Sequence, residues 1–289
     1  GEAVRGEIRS VYVAQNNAVS PDTHATAIGG ILKYEAAPWE NIRLGIGGYV
    51  SQKIGWASGQ GDTLNADVLS ADRGSYAYVG EAYVDYRVGD AGFRAGRFQI
   101  DTPFADTDDI RMHPNTFEGA HLRYRIGKTT LSGAYLSRWS GYDSGDDIAQ
   151  FKAFAEGGKG VVLAGFTNES IENLAVQGWY TAADDIADFY YAGAAYTVAY
   201  EDQATAEVSA QFAAMRERKD AEGIESNIDG NVYGIAAVVS IGSITVGAAY
   251  NRSCNGNGKF SDNGFGGGPY VTSMERRRSG EWKMHGPIG

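Results

Sequence analysis

Four carboxylates, Asp101, Asp106, Asp108 and Asp109, fall within nine residues of one another, and arginines bracket them. Arg94 and Arg97 come before, Arg111 lies just after, and Arg123, Arg125 and Arg138 follow further on. Opposed fixed charges in a narrow wet passage with low-dielectric walls focus the field and align a solute by its own charges. The same groups can instead pair with one another and hold a loop in place, and both readings stand together. Calcium binding at Asp106-Thr107-Asp108-Asp109 is a weaker fit, because the stretch lacks the glycine and closing glutamate of an EF-hand loop. No metal is assigned.

Other chemistries find less support. Gly256-Asn257-Gly258-Lys259 is superficially like a phosphate-binding loop, but Phe260 stands where Ser or Thr is needed and the leading Gly is missing. His24, His113, His121 and His285 have no metal-ligand spacing and read as surface or pore residues. Cys254 is the sole cysteine, so the chain forms no internal disulfide and no cysteine-based metal site. The best nucleophile–base pair is Ser132 with His121, and it lacks an orienting third group. No catalytic residue and no cofactor are assigned. A net charge of −11 argues against nucleic acid, which needs a clustered basic surface.

The elements that must position these charges are strands, because the apolar period is two almost everywhere. Over 76–87, Tyr76, Tyr78, Gly80, Ala82, Val84 and Tyr86 fall on one face, apolar in the middle and aromatic at its ends. Ala77, Val79, Glu81, Tyr83, Asp85 and Arg87 fall on the other. In 42–53, Ile42, Leu44, Ile46, Gly48 and Val50 oppose Arg43, Tyr49, Ser51 and Lys53. In 119–126, Ala120, Leu122, Tyr124 and Ile126 oppose His121, Arg123 and Arg125, and in 205–214 Val208, Ala210 and Phe212 oppose Glu207, Ser209 and Gln211. About thirteen such segments are present, each near the ~9–11 residues a tilted strand needs to cross a bilayer. An apolar face with aromatic ends suits lipid, and a polar face suits a wet lumen.

The connections alternate in length. Short ones fall at 38–41, 89–92, 127–128, 170–172, 201–203 and 242; longer ones near 15–24, 53–75, 100–117, 140–158, 216–229 and from 251 onward, with 183–187 ambiguous. Short turns at one rim and long loops at the other are the layout of outer-membrane barrels. A mean hydropathy of −0.32 does not oppose this, since only alternate residues meet lipid. The expected fold is therefore all-β, a transmembrane antiparallel up-and-down barrel. One segment breaks the period: Ile148, Phe151, Lys152, Phe154 and Ala155 follow Asp146-Asp147 at helical spacing, which predicts a short helix inside a long loop.

The stretch 81–125 is the most specific. It reads Glu81-Ala82-Tyr83-Val84-Asp85-Tyr86, then Ala95-Gly96-Arg97, Asp101-Thr102-Pro103-Phe104-Ala105, Asp108-Asp109-Ile110-Arg111-Met112 and Pro114-Asn115-Thr116-Phe117-Glu118-Gly119. This resembles the OprD family of outer-membrane porins of Gram-negative bacteria. Gly6-Glu7-Ile8-Arg9, Gly29-Gly30 and Ala37-Pro38-Trp39 look like the family's opening strands. The resemblance implies a larger barrel, of about eighteen strands, with a loop folded into the lumen; by position that loop is 100–117. It implies passive diffusion of small polar or charged solutes, guided by a basic ladder whose candidates here are Arg94, Arg97, Arg123, Arg125 and Arg138. It implies outer-membrane lipid as surroundings and leaves a loose homotrimer open. An outer-membrane hydrolase and a secreted all-β binding module are the rival readings. Residues 1–274 are read as barrel wall. Residues 275–289 do not alternate and end in glycine rather than an aromatic residue, which suggests an incomplete or altered C-terminus.

Overall fold

Alternation at period two commits a segment to extended backbone, with successive side chains on opposite faces of a sheet. The computed structural model describes residues 2–145, 147–200, 204–218, 227–256 and 259–272. It contains thirteen strands: β1 (Ala3–Gln15), β2 (Thr23–Glu35), β3 (Ile42–Lys53), β4 (Tyr76–Val88), β5 (Ala91–Phe98), β6 (Thr116–Ile126), β7 (Thr129–Ser140), β8 (Val161–Ile171), β9 (Leu174–Ala183), β10 (Ala187–Tyr200), β11 (Ala204–Glu217), β12 (Asp229–Ile241) and β13 (Ile244–Asn255). They form one antiparallel meander in chain order, β1 to β13. Short and long connections alternate as the sequence predicts, except that the ambiguous link is short: β9 turns into β10 over residues 184–186, with Asp185 at φ 58°. The turn at 201–203 and the tail 275–289 lie outside the described residues.

The chain clusters into two compact units. One comprises Gly1–Ile100, Thr107–Ala120 and Leu136–Phe154; the other comprises Asp101–Asp106, His121–Tyr135 and the chain from Ala155 onward. In the first unit, Leu44, Ile46 and Val50 of β3 are exposed, whereas Tyr49 and Ser51 are fully buried. In the second, Val208 is exposed and its neighbours Ser209 and Gln211 are buried. An exposed apolar face backed by a covered polar one is what a wall between lipid and a wet interior requires.

β4 corrects one expectation. Its faces do not keep a single parity: Tyr76 and Tyr83 are both buried, and the exposed apolar residues are Ala77 and Val79 before Gly80 but Val84, Tyr86 and Val88 after it. A bulge explains this. Gly47 pairs with Glu81 and Gly48 with Val79, leaving Gly80 as the extra residue. One unpaired residue flips every side chain beyond it to the other face. Gly80 suits the position because a Cβ there would stand 2.6 Å from the Tyr49 ring.

The predicted helix at 148–155 is also corrected. No α-helix occurs among the described residues, and Asp146 lies outside them. Lys152 instead forms a bridge with Trp139, each backbone N–H donating to the other's carbonyl at 2.9 Å. The Phe154 ring stacks on Trp139 at 5.7 Å and the Phe151 ring lies under the Arg97 guanidinium. Helical spacing arose here because residues three apart reach separate tertiary partners.

The connection 54–75 folds back over the covered face. It brings Val68 and Leu69, both fully buried, against Ala25, Ala27 and Met112. Ser51 Oγ donates to the Val68 carbonyl at 2.7 Å.

Candidate functional site

The connection between β5 and β6, residues 99–115, carries the predicted acidic cluster, and each unit holds its share separately.

In the first unit, residues 107–115 are pinned at several points. Asp109 takes both Nη atoms of Arg9 from β1, Nη2 to Oδ2 at 2.6 Å. Arg111 reaches Asp67 at 3.5 Å and lies over the Tyr142 ring at 4.6 Å. Met112 is buried in the Val68–Leu69 cluster, a contribution of about 1.5–3 kcal/mol for a side chain of that size. Asn115 donates through Nδ2 to Asp143 at 2.7 Å. Asp108 sits in the left-handed region at φ 34°, where the loop reverses.

His113 corrects its sequence reading as a surface or pore residue, because it is only 2 % exposed. Its Nε2 lies 3.2 Å from the Gly30 carbonyl and 3.1 Å from that of Val50, and its Nδ1 lies 3.0 Å from the Tyr76 hydroxyl. Two acceptors at Nε2 place the proton there, so Nδ1 accepts from Tyr76. The ring stacks on Tyr49 at 5.0 Å and meets Tyr76 and Tyr78 edge-on. Burial lowers its pKa to about 4, reinforced by the Arg9 charge and opposed by the two carbonyls and Asp109.

Beneath this lies a charged network on β2–β5. Glu81, 1 % exposed, receives Lys33 at 2.8 Å, the Tyr49 hydroxyl at 3.0 Å and Gln99 Nε2 at 3.2 Å. Three donors satisfy a carboxylate that would otherwise be costly to bury. Asp85 receives Arg87 at 3.0 Å and Arg94 at 3.4 Å, and Arg94 also lies over the Tyr83 ring at 4.4 Å. Arg97 turns away from this group, to Glu118 at 3.0 Å and the Phe151 ring at 4.3 Å. Arg138 is exposed.

In the second unit, residues 101–106 form a tight turn, with Thr102 N–H donating to the Ala105 carbonyl at 2.8 Å. Phe104 is fully buried and packs on Phe189 at 4.8 Å. Asp106 accepts the N–H groups of Gly267 at 3.0 Å and Gly268 at 3.1 Å, while its own N–H donates to the Phe265 carbonyl. Gly266 and Gly268 have φ of 145° and 74°, conformations that aim successive amides at one anion. Asp101 is exposed. On β6, Arg125 bends back to the Gly127 carbonyl at 3.1 Å, and Arg123 is half-buried beside exposed Leu122 and Tyr124. Among the described residues no group of three His, Cys, Asp or Glu could hold a metal ion.

Sequence reasoning therefore found the acidic and basic sets but not their partners. Arg9, Asp67, Lys33, Glu81, Tyr49, Glu118 and the glycines at 266–268 were missed, because each meets its partner across distant sequence. Strand parity could have flagged Arg9 and Glu81 as polar residues within apolar strands.

A meander of strands with an exposed apolar face, a polar covered face and a long charged connection seated on it defines an outer-membrane barrel wall. The outer membrane porin, OprD family, model matches residues 42–276, and the chain belongs to that family. Solved porins share the fold. Pseudomonas aeruginosa OccK9 (OpdG) is 18% identical with a TM-score of 0.78, covering 94% of this chain and 73% of its own. Pseudomonas aeruginosa OccD3 (OpdP) is 14% identical with a TM-score of 0.71, covering 88% of this chain; this chain spans 58% of OccD3. Pseudomonas aeruginosa OpdK, solved with vanillate, is 19% identical with a TM-score of 0.69, covering 87% of this chain and 66% of its own. Comparison with curated proteins returns no match.

Proposed function

We propose that this chain is wall and constriction of an outer-membrane channel for passive diffusion of small polar or charged solutes, and that it performs no catalysis. The observation that carries the proposal is that residues 107–115 of the charged connection are held against the covered sheet face by Arg9–Asp109, Arg111–Asp67, Met112 and His113. A loop held this firmly keeps its charges at fixed positions, as selection by field requires. Solutes pass these charges, guided by Asp101, Asp106, Asp108, Asp109 and Arg111 on the loop and by the basic candidates Arg94, Arg97, Arg123, Arg125 and Arg138. Arg94, ion-paired yet stacked on Tyr83, is built in as a wall residue. OpdK was solved with vanillate, which supports a small organic anion as the solute class here. Family membership favours a channel over a hydrolase or a secreted binding module.

The test is single-channel recording of the full-length protein in a planar bilayer. Discrete ion-conducting steps are expected. Arg123→Glu with Arg125→Glu should shift the reversal potential towards cations. A folded protein without steps refutes the channel, and an unchanged reversal potential removes these two arginines from the pore.

A further inference from the structure

The exposed face of β11–β13 changes character at the end that bears long connections. Further along the strands it is plain apolar: Val208, Ile235, Val239 and Val246 are all exposed. At the long-connection end, directly paired residues share a face, and the cross-strand rows are Phe212–Tyr233–Arg252, then Ala214–Asn231–Cys254, then Arg216–Asp229. The Phe212 and Tyr233 rings lie 5.1 Å apart. Between β12 and β13 is an open groove of about 320 Å³, lined by Tyr233, Gly234, Ile235, Tyr250, Arg252 and Cys254. Arg216 is already engaged, with Asn231 at 2.9 Å and Asp229 at 3.4 Å. Arg252 is exposed and, among the described residues, has no carboxylate within 4.0 Å.

A cation on the lipid-facing side of a barrel is costly at the bilayer midplane and tolerated near the interface, where anionic headgroups are within its reach. Long connections of outer-membrane barrels face outward from the cell, which puts this row at the outer leaflet. We propose that the groove binds an anionic, phosphate-bearing lipid of the outer leaflet, with a phosphate on Arg252 and an acyl chain against Tyr233, Ile235 and Tyr250. The groove is continuous with the apolar face below it, so a chain entering there remains in the bilayer, which favours a lipid over a soluble partner. The inference rests on the outer-membrane reading but not on conductance.

Cys254 lies in the groove and is exposed, so its own reaction with a maleimide, followed by peptide mapping, reads occupancy. The full-length protein in neutral detergent is mixed with lipid A, with lipid A stripped of its phosphates, or with inorganic phosphate. Lipid A alone is expected to slow labelling. In Arg252→Glu the lipid concentration needed should rise at least about fivefold, the worth of one basic residue at an anionic membrane surface. Arg252→Lys should retain protection. Heat-modifiable gel mobility checks that each variant is folded. Equal protection by the phosphate-free lipid, protection by inorganic phosphate alone, or unaltered protection in Arg252→Glu overturns the proposal. Protection without channel activity would overturn the channel reading and leave this one standing; channel activity without protection does the reverse.

Discussion

Acidifying the medium should loosen the seating of residues 107–115 through His113. The neutral ring gives its Nε2 proton to the Gly30 and Val50 carbonyls and accepts the Tyr76 hydroxyl at Nδ1, in a setting only 2 % exposed. The groups facing it are the tyrosines 49, 76 and 78, the Arg9 guanidinium and the Asp109 and Glu7 carboxylates. A second proton has no acceptor ready and sits near Arg9. The seated loop therefore holds His113 neutral down to about pH 4, whereas an unseated loop protonates it near 6.5. The sign follows from proton uptake. Above pH 6.5 the contribution to seating is complete. It declines as pH falls, because the unseated state binds the extra proton, and it levels off below about pH 4. At about 1.4 kcal/mol for each pH unit, the whole window comes to about 3 kcal/mol, and roughly 2 kcal/mol has gone by about pH 5. That is roughly a thirtyfold rise in the unseated population. Carboxylates as a class titrate near pH ~4, below a range of about pH 7.5 to 5, and the other three histidines are common to wild type and His113→Gln, so the difference between the two proteins reports His113. The assay is single-channel current noise across that range, for wild type and His113→Gln. The glutamine keeps a donor and an acceptor but cannot titrate, so its noise should rise less on acidification than that of wild type. Equal pH dependence in both proteins would refute the reasoning.

Three further outcomes are expected. Asp106→Ala removes the acceptor for the Gly267 and Gly268 amides and should cost about 1–3 kcal/mol locally, seen as faster hydrogen exchange at 264–268 with β1–β4 unaffected. Gly80→Val drives a side chain into Tyr49 and should cost about 1–3 kcal/mol or more, read as a lower temperature of heat-modifiable mobility; a wild-type value would show that the bulge can relax. Glu81→Ala strands Lys33 and should cost about 3–5 kcal/mol, while Glu81→Ala with Lys33→Met should recover much of it in a double-mutant cycle.

The sequence by itself determined the strands, their antiparallel meander and the alternation of short and long connections. Period-two patterning is local, and every strand that keeps one face apolar records its own orientation. It also determined that 100–117 concentrates charge and is flanked by arginines. Tertiary structure alone decided how those charges are used. Asp109 is held by Arg9, a hundred positions away in the chain, and Asp106 by glycine amides some 160 positions away, distances over which no pattern in one sequence carries information. His113 read as a surface or pore residue because its burial depends on the folding back of the connections above it. The faces of β4 were misread because a single extra residue, Gly80, reverses parity midway, and bulges leave no trace in alternation beyond a glycine among many. The apparent helix at 148–155 failed for the same kind of reason. Residues at helical spacing satisfied Trp139, Phe117 and Arg97 separately, and those contacts, made across the fold, outweighed the local preference.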